Sequence, residues 1–226
     1  SLYAPGQSEG KSSNSPHAFR SVSFSKQRAG ILTHPFLLSA FAYHDTTSPI
    51  HRGVFLTRNV IGRGLKPPPI AVAFKNEEFP DDLSMREKIT LLTRDAACMT
   101  CHSIINPLGF ALENFDAVGR WRNTENDEPL DTTSEYITLD GDSQQFRSAN
   151  DLANFAVTSK VSHQAFISHL FRHLVKQTPS AYGKETLNDL RLHFAEEDFS
   201  IQKLVAEIAL ISATHDVPRE STKLAL

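Results

Sequence analysis

Cys98-Met99-Thr100-Cys101-His102 runs without a break into Ser103-Ile104-Ile105-Asn106-Pro107-Leu108-Gly109-Phe110 and on to Arg122. Cys-x-x-Cys-His is the attachment pattern of a c-type haem. The spacing has a chemical reason. Two thiols three positions apart on a helical turn can each add to one vinyl group of the porphyrin, and the adjacent imidazole then lies under the iron as proximal ligand. Both of the chain's two cysteines are in this motif. A thioredoxin-like Cys-x-x-Cys needs a βαβ context, which the flanks do not supply. A structural zinc site needs a second Cys/His pair at short spacing, and no further cysteine exists to make one. A disulfide closing so short a loop would constrain little of the chain.

The rest of the sequence bounds what surrounds the motif. At 226 residues, with 40% hydrophobic and 22% charged residues, the chain has the composition of a globular protein able to bury a core. Its formal net charge of −3 gives no electrostatic case for nucleic acid or an anionic membrane surface. No apolar run approaches the roughly 20 residues of a membrane-spanning helix. Ser1 to Gln7 is neither basic nor apolar, so it is not a signal peptide. Because haem is joined to thiols outside the cytoplasm, the expectation is a periplasmic, cell-surface or extracellular protein. Its export signal has then been removed, or the chain is a piece of something longer.

Ser1 to Ser25 is rich in Ser, Gly, Pro and Asn but carries Leu2, Tyr3, Phe19, Val22 and Phe24. It reads as an arm that packs on a neighbouring surface. Pro35 opens a short buried helix through Phe41. A second helix is expected over Arg52 to Ile61, ended by Gly62. Lys66-Pro67-Pro68-Pro69 is a stiff spacer, followed by irregular extended chain to Phe79. Asp81, Asp82 or Ser84 caps a helix that runs through Met85, Ile89 and Leu92 and delivers the motif at its C-terminal end. Pro107-Leu-Gly109 then turns the chain, and Asn123 to Pro129 is polar loop. Thr132 to Asp140 reads as a strand, with Asp140-Gly141 as the turn of a small hairpin. Four helices follow, starting near Ser148 to Asn150, at Ser162, at Thr186 and at Ser200. The fold class is therefore mainly α. A c-type cytochrome-like haem module with long irregular loops precedes a small helical C-terminal module with a minor β-hairpin. The expected divisions are an N-terminal arm over 1–27, the haem module over 28–130 and the helical module over 131–226. His169 and His173 share a helix face, but no carboxylate at matching spacing joins them, so they read as surface histidines. No nucleophile elbow, phosphate loop or triad-like cluster is present.

Several stretches together resemble the planctomycete-type cytochrome c proteins. They are Arg28-Ala-Gly-Ile-Leu-Thr-His-Pro35, Thr47-Ser-Pro-Ile-His-Arg-Gly53, the proline run, the Cys98 motif and Ile105-Asn-Pro-Leu-Gly-Phe-Ala-Leu-Glu-Asn-Phe-Asp-Ala-Val-Gly-Arg-Trp-Arg122. The proteins of this family are large, exported and bacterial, with a single-haem module and a helical C-terminal module, both of unknown function. From Leu139 to Val217 the helical layout agrees, while Lys176-Gln-Thr-Pro179 departs from the family's usual Tyr-Ala-Leu-Gly-Arg-like segment. The resemblance implies one covalently attached haem c and a chain that is the C-terminal portion of a longer protein.

The sixth iron ligand decides what such a haem does. Candidates are His34, His44, His51, Met85 and Met99. Met99 lies between the linking cysteines and cannot reach the distal face, and Met85 is on the proximal approach. His34, at a helix start in an apolar setting, is the favoured distal ligand, with His44 the runner-up. Arg120, Trp121 and Arg122 suit the haem propionates, because guanidinium and indole N–H both donate to carboxylates. Pro107 is the expected acceptor, through its carbonyl, for the His102 ring N–H. The expected function is one-electron transfer with a redox partner protein. The upstream part of the same precursor, or further copies of the chain, are possible associates. The alternatives are a haem enzyme with peroxide or oxygen chemistry and a haem-stabilised module of a surface assembly.

Overall fold

The computed structural model describes residues 26–67 and 73–214. Residues 1–25 of the expected arm, and Pro68 and Pro69 of the proline spacer, lie outside the described residues. The described chain is mainly helical, with two small antiparallel strand pairs. It divides into two compact units, one made of residues up to 58 and 63–156, the other of 59–62 and residues from 157 onward.

The first unit is built on two helices in backbone contact. α1 (Pro35–Ala40) begins at the expected proline. α2 (Pro49–Phe55) starts three residues earlier than the sequence reading placed it, because Ser48 caps it and Pro49 occupies its first turn. It runs into one wide turn over Leu56–Val60, and the chain leaves through Gly62 at φ +73°. α3 (Met85–Leu92) opens on a reciprocal Ser84–Glu87 capping box. The next helix, α4 (Ala96–Phe110), contains the whole Cys98–His102 motif.

This corrects two expectations. α3 does not carry the motif at its end. It stops at Leu92, with Thr93 as C-cap, and α4 restarts after Asp95. Thr93 and Asp95 are both poor helix-interior residues, and both lie in the break. Pro107-Leu-Gly109 does not turn the chain either. Pro107 sits inside α4, and the helix continues to Phe110. Gly109 serves a close approach instead: a Cβ built there would fall 2.0 Å from the Pro49 carbonyl oxygen of α2. At the other end of the same crossing, a Cβ on Gly53 would fall 2.2 Å from the Ile105 carbonyl oxygen. Two glycines, one from each helix, let α2 and α4 touch backbone to backbone.

Around this pair the chain adds short elements. β1 (Thr124–Glu125) and β2 (Glu128–Pro129) form a hairpin within the stretch read as loop. Its turn residues Asn126 and Asp127 have φ of 52° and 64°, the left-handed values a tight hairpin requires. β3 (Ser134–Ile137) and β4 (Ser143–Phe146) form the expected second hairpin, turning through Gly141 at φ +89°. Ser134 pairs with Phe146 in this register. Tyr136 and Phe146 are buried, and both meet Phe155 of α5 (Ala149–Thr158) edge-on. The expected boundary at 130/131 thus falls inside the first unit. The Ser134 hydroxyl donates to the Pro107 carbonyl at 2.7 Å, which ties β3 to α4.

The second unit packs α6 (Lys160–Val175), α7 (Thr186–Glu196) and α8 (Ile201–Thr214) around Ile167, Phe171, Leu190, Phe194, Leu204 and Ile208. Ser159 caps α6, so this helix begins before the expected Ser162. Lys176 ends it in the left-handed conformation at φ 63°, a position glycine usually takes. His169 and His173 are exposed on α6.

Candidate haem-attachment site

Helical spacing places Cys98, Cys101, His102, Ile105, Asn106 and Gly109 along one side of α4. The stripe changes character along its length. Cys98, Cys101 and His102 are half-buried, whereas Ile105, Asn106 and Gly109 are buried. The motif therefore lies where a core-facing stripe emerges at the surface, anchored below by the Gly53–Ile105 and Gly109–Pro49 contacts. Both thiols are free. Among the described residues, no three His, Cys, Asp or Glu side chains converge on a point that could hold a metal ion. A Cys-x-x-Cys-His pattern does not require such convergence, since its thiols bond to porphyrin carbons and only the imidazole meets the iron.

His102 is held from the core side. Its Nδ1 lies 2.8 Å from Asn106 Oδ1. Asn106 is buried, and its Nδ2 donates to Thr93 Oγ1 at 2.9 Å. The Thr93 hydroxyl donates in turn to the Ile89 carbonyl at 2.8 Å. The expected acceptor, Pro107, does not fill this role: its carbonyl accepts from Ser134 and from the Ala111 N–H. The side chain one residue earlier reaches the ring because it is four positions from His102, on the same helix face. That i, i+4 spacing was the sequence signal for Asn106.

The three residues proposed for the propionates separate. Arg122 donates from Nε to the Glu113 carbonyl at 3.0 Å, from Nη2 to Glu113 Oε2 at 3.0 Å and from Nη1 to Glu125 Oε1 at 2.9 Å. These bonds commit it to a buried charge network rather than to a propionate. Glu113 is the network's centre and is 1% exposed. It also accepts from Thr47 Oγ1 at 2.7 Å and pairs with the fully buried Arg52 at 3.4 Å. Arg52 further donates to the carbonyls of Phe115 and Asp116, both at 2.7 Å. Burial pushes the Glu113 carboxyl up from its usual range, opposed first by the Arg52 charge, then by the Thr47 hydroxyl and Arg122. Burial likewise pushes the Arg52 guanidinium down, opposed by Glu113. Arg120 is exposed, and its backbone bonds to Asp116. Trp121 is partly exposed and meets the buried Phe115 ring edge-on at 5.3 Å.

His34 acts as the N-cap of α1. Its exposed ring accepts the Phe36 N–H at Nδ1, at 3.2 Å. In neutral imidazole an accepting Nδ1 leaves the proton on Nε2, so this tautomer does not present Nε2 as an iron ligand. His44 is exposed in the loop bridged by Ala42 and Thr47. His51 is exposed on α2 and lies 5.1 Å from the Tyr43 ring, centroid to centroid. Met85 is buried with Ile89 and Phe110 in the core beneath α3, and Met99 is exposed.

A family model for PSCyt3, a planctomycete cytochrome-type domain of unknown function (DUF1588), matches residues 28–125. That is less than half of the chain. It spans α1 through β1 and includes the motif, Asn106 and the Arg52–Glu113–Arg122 network. No curated protein and no solved structure gives a match. No described helix is long and apolar enough to cross a membrane.

Proposed function

We propose that this chain is a monohaem c-type cytochrome that transfers single electrons outside the cytoplasm. One observation carries the reading. The two free thiols and His102 share one half-buried face of α4, and the Nδ1 side of the His102 ring is engaged by Asn106, away from that face's open end. The residues fit the group: Cys98 and Cys101 would hold it, and His102 would take the proximal position through Nε2. A haem bound there supplies a one-electron redox centre. The chain's own part is to fix the imidazole plane and to set the two thiols a helical turn apart.

A second reading is favoured by the state of His34. Its cap bond to Phe36 opposes its use as a distal ligand. An open sixth position would suit peroxide or oxygen chemistry rather than pure electron transfer. One preparation tests both. The chain is produced in cells with c-type maturation machinery and run on a denaturing gel. Haem staining at the band, with an intact mass raised by one haem, is expected. Two reactive thiols in that protein would overturn attachment altogether. The ferric spectrum then separates the readings: low-spin iron fits electron transfer, whereas high-spin iron with rapid peroxide turnover fits the enzyme. His34→Ala is expected to change the spin state only if His34 ligates.

A further inference from the structure

We infer that Thr93 and Asn106 form a directional relay that fixes His102 as the Nδ1–H tautomer, making Asn106 a positioning residue for the imidazole. The inference rests on the proposed haem attachment only for its redox consequence. The tautomer itself follows from hydrogen-bond direction. The Ile89 carbonyl can only accept, so the Thr93 hydroxyl at 2.8 Å must spend its single proton there. Thr93 Oγ1 then has only lone pairs to offer Asn106, which must turn its amide NH2 toward it at 2.9 Å. With the amide oriented this way, Oδ1 faces His102 at 2.8 Å. That oxygen accepts but cannot donate, so His102 Nδ1 carries the proton and Nε2 keeps its lone pair. A backbone carbonyl on α3 thereby dictates which nitrogen of a histidine on α4 is free to ligate.

Burial keeps the relay from being short-circuited by water. Thr93 is 3% exposed and Asn106 7% exposed, and each has one partner on either side. Flipping the amide would set its NH2 against His102 and leave its oxygen facing a hydroxyl whose proton is already used. Leaving such buried groups unmatched costs about 1–3 kcal/mol. An anchored acceptor at Nδ1 also makes the opposite nitrogen a stronger electron donor to a metal.

The test uses two independent readouts. In the apo chain with ring-labelled histidine, nitrogen NMR should show His102 as the Nδ1–H form. Asn106→Leu and Thr93→Val should both move it toward the Nε2–H form, Thr93→Val without touching His102 or its direct partner. In the haem-loaded chain, Asn106→Asp should shift the reduction potential down and Asn106→Leu should shift it up. A wild-type His102 already in the Nε2–H form, or unmoved by either Asn106→Leu or Thr93→Val, would overturn the relay. Failure of haem to attach would refute the proposed function and leave the apo result standing. If Asn106→Leu does not fold, Thr93→Val and Asn106→Asp decide the matter.

Discussion

At residue scale the first unit rests on one buried carboxylate. Glu113 receives the charges of Arg52 and Arg122 and the hydroxyl of Thr47. Without Arg52 the buried Glu113 keeps Arg122 as its one cation, and breaking one side of a buried charge network typically costs about 3–5 kcal/mol. Arg52→Met is therefore expected to lower the unfolding free energy of the first unit by about that amount. Arg52→Met combined with Glu113→Leu should recover much of the loss, because the under-compensated buried carboxylate is then gone and Arg122 keeps its pair with Glu125. Denaturant titration of the single and double variants measures both. A double variant no better than Arg52→Met would show that Arg52 acts through its bonds to the Leu38, Phe115 and Asp116 carbonyls instead. This network was not legible in the sequence, since Arg52 and Glu113 are separated by 61 residues and no local spacing links them. The attachment motif was legible, because its five positions are contiguous and chemically constrained. Asn106 stood within reach of the same reasoning, four residues beyond His102. Backbone carbonyls are common partners of a ring N–H, which makes Pro107 the sequence's candidate, but its carbonyl already serves Ser134.

At the scale of elements, α2 and α4 are held by what they lack. Each of Gly53 and Gly109 faces a backbone carbonyl of the other helix, which cannot move aside as a flexible side-chain end can. Alanine raises helix propensity by about 1 kcal/mol over glycine. Overpacking against fixed backbone costs about 1–3 kcal/mol or more. At 2.0 and 2.2 Å the clash wins, and both Gly53→Ala and Gly109→Ala are expected to destabilise despite the better propensity. Thermal unfolding checks the sign; a raised melting temperature for either would mean the helices are not in backbone contact. The contact also accounts for a boundary the sequence obscured. Pro-Leu-Gly reads locally as a stop, yet Gly109 answers a tertiary demand from Pro49, and α4 runs on to Phe110. Caps were more transparent. Ser48, Ser84 and Ser159 each accept from the first turn of their helix, and two of the three helix starts fell before the residue first chosen because proline or lysine continues the turn.

At the scale of the whole molecule, α4 is the element through which a group bonded at the motif would act on its unit. One side of it meets α2 through two glycines, Asn106 reaches α3 through Thr93, and Pro107 holds β3 through Ser134. Rigidity added at Cys98 and Cys101 has three separate routes into the first unit's core. Attachment is therefore expected to raise protection well beyond the motif itself. The measurement is amide hydrogen exchange, comparing the haem-loaded chain with a Cys98→Ala/Cys101→Ala chain that cannot form the thioether bonds. Protection should rise in α2 at Gly53 to Phe55, in α3 at Ile89 and Leu92, and in β3 at Tyr136, as cooperative units open together. Asn106→Leu in the loaded chain should selectively reduce the gain in α3, because it cuts that route and leaves the glycine contacts and Ser134 in place. A gain confined to residues 96–103 would show that the motif sits on α4 without being coupled to the elements packed against it.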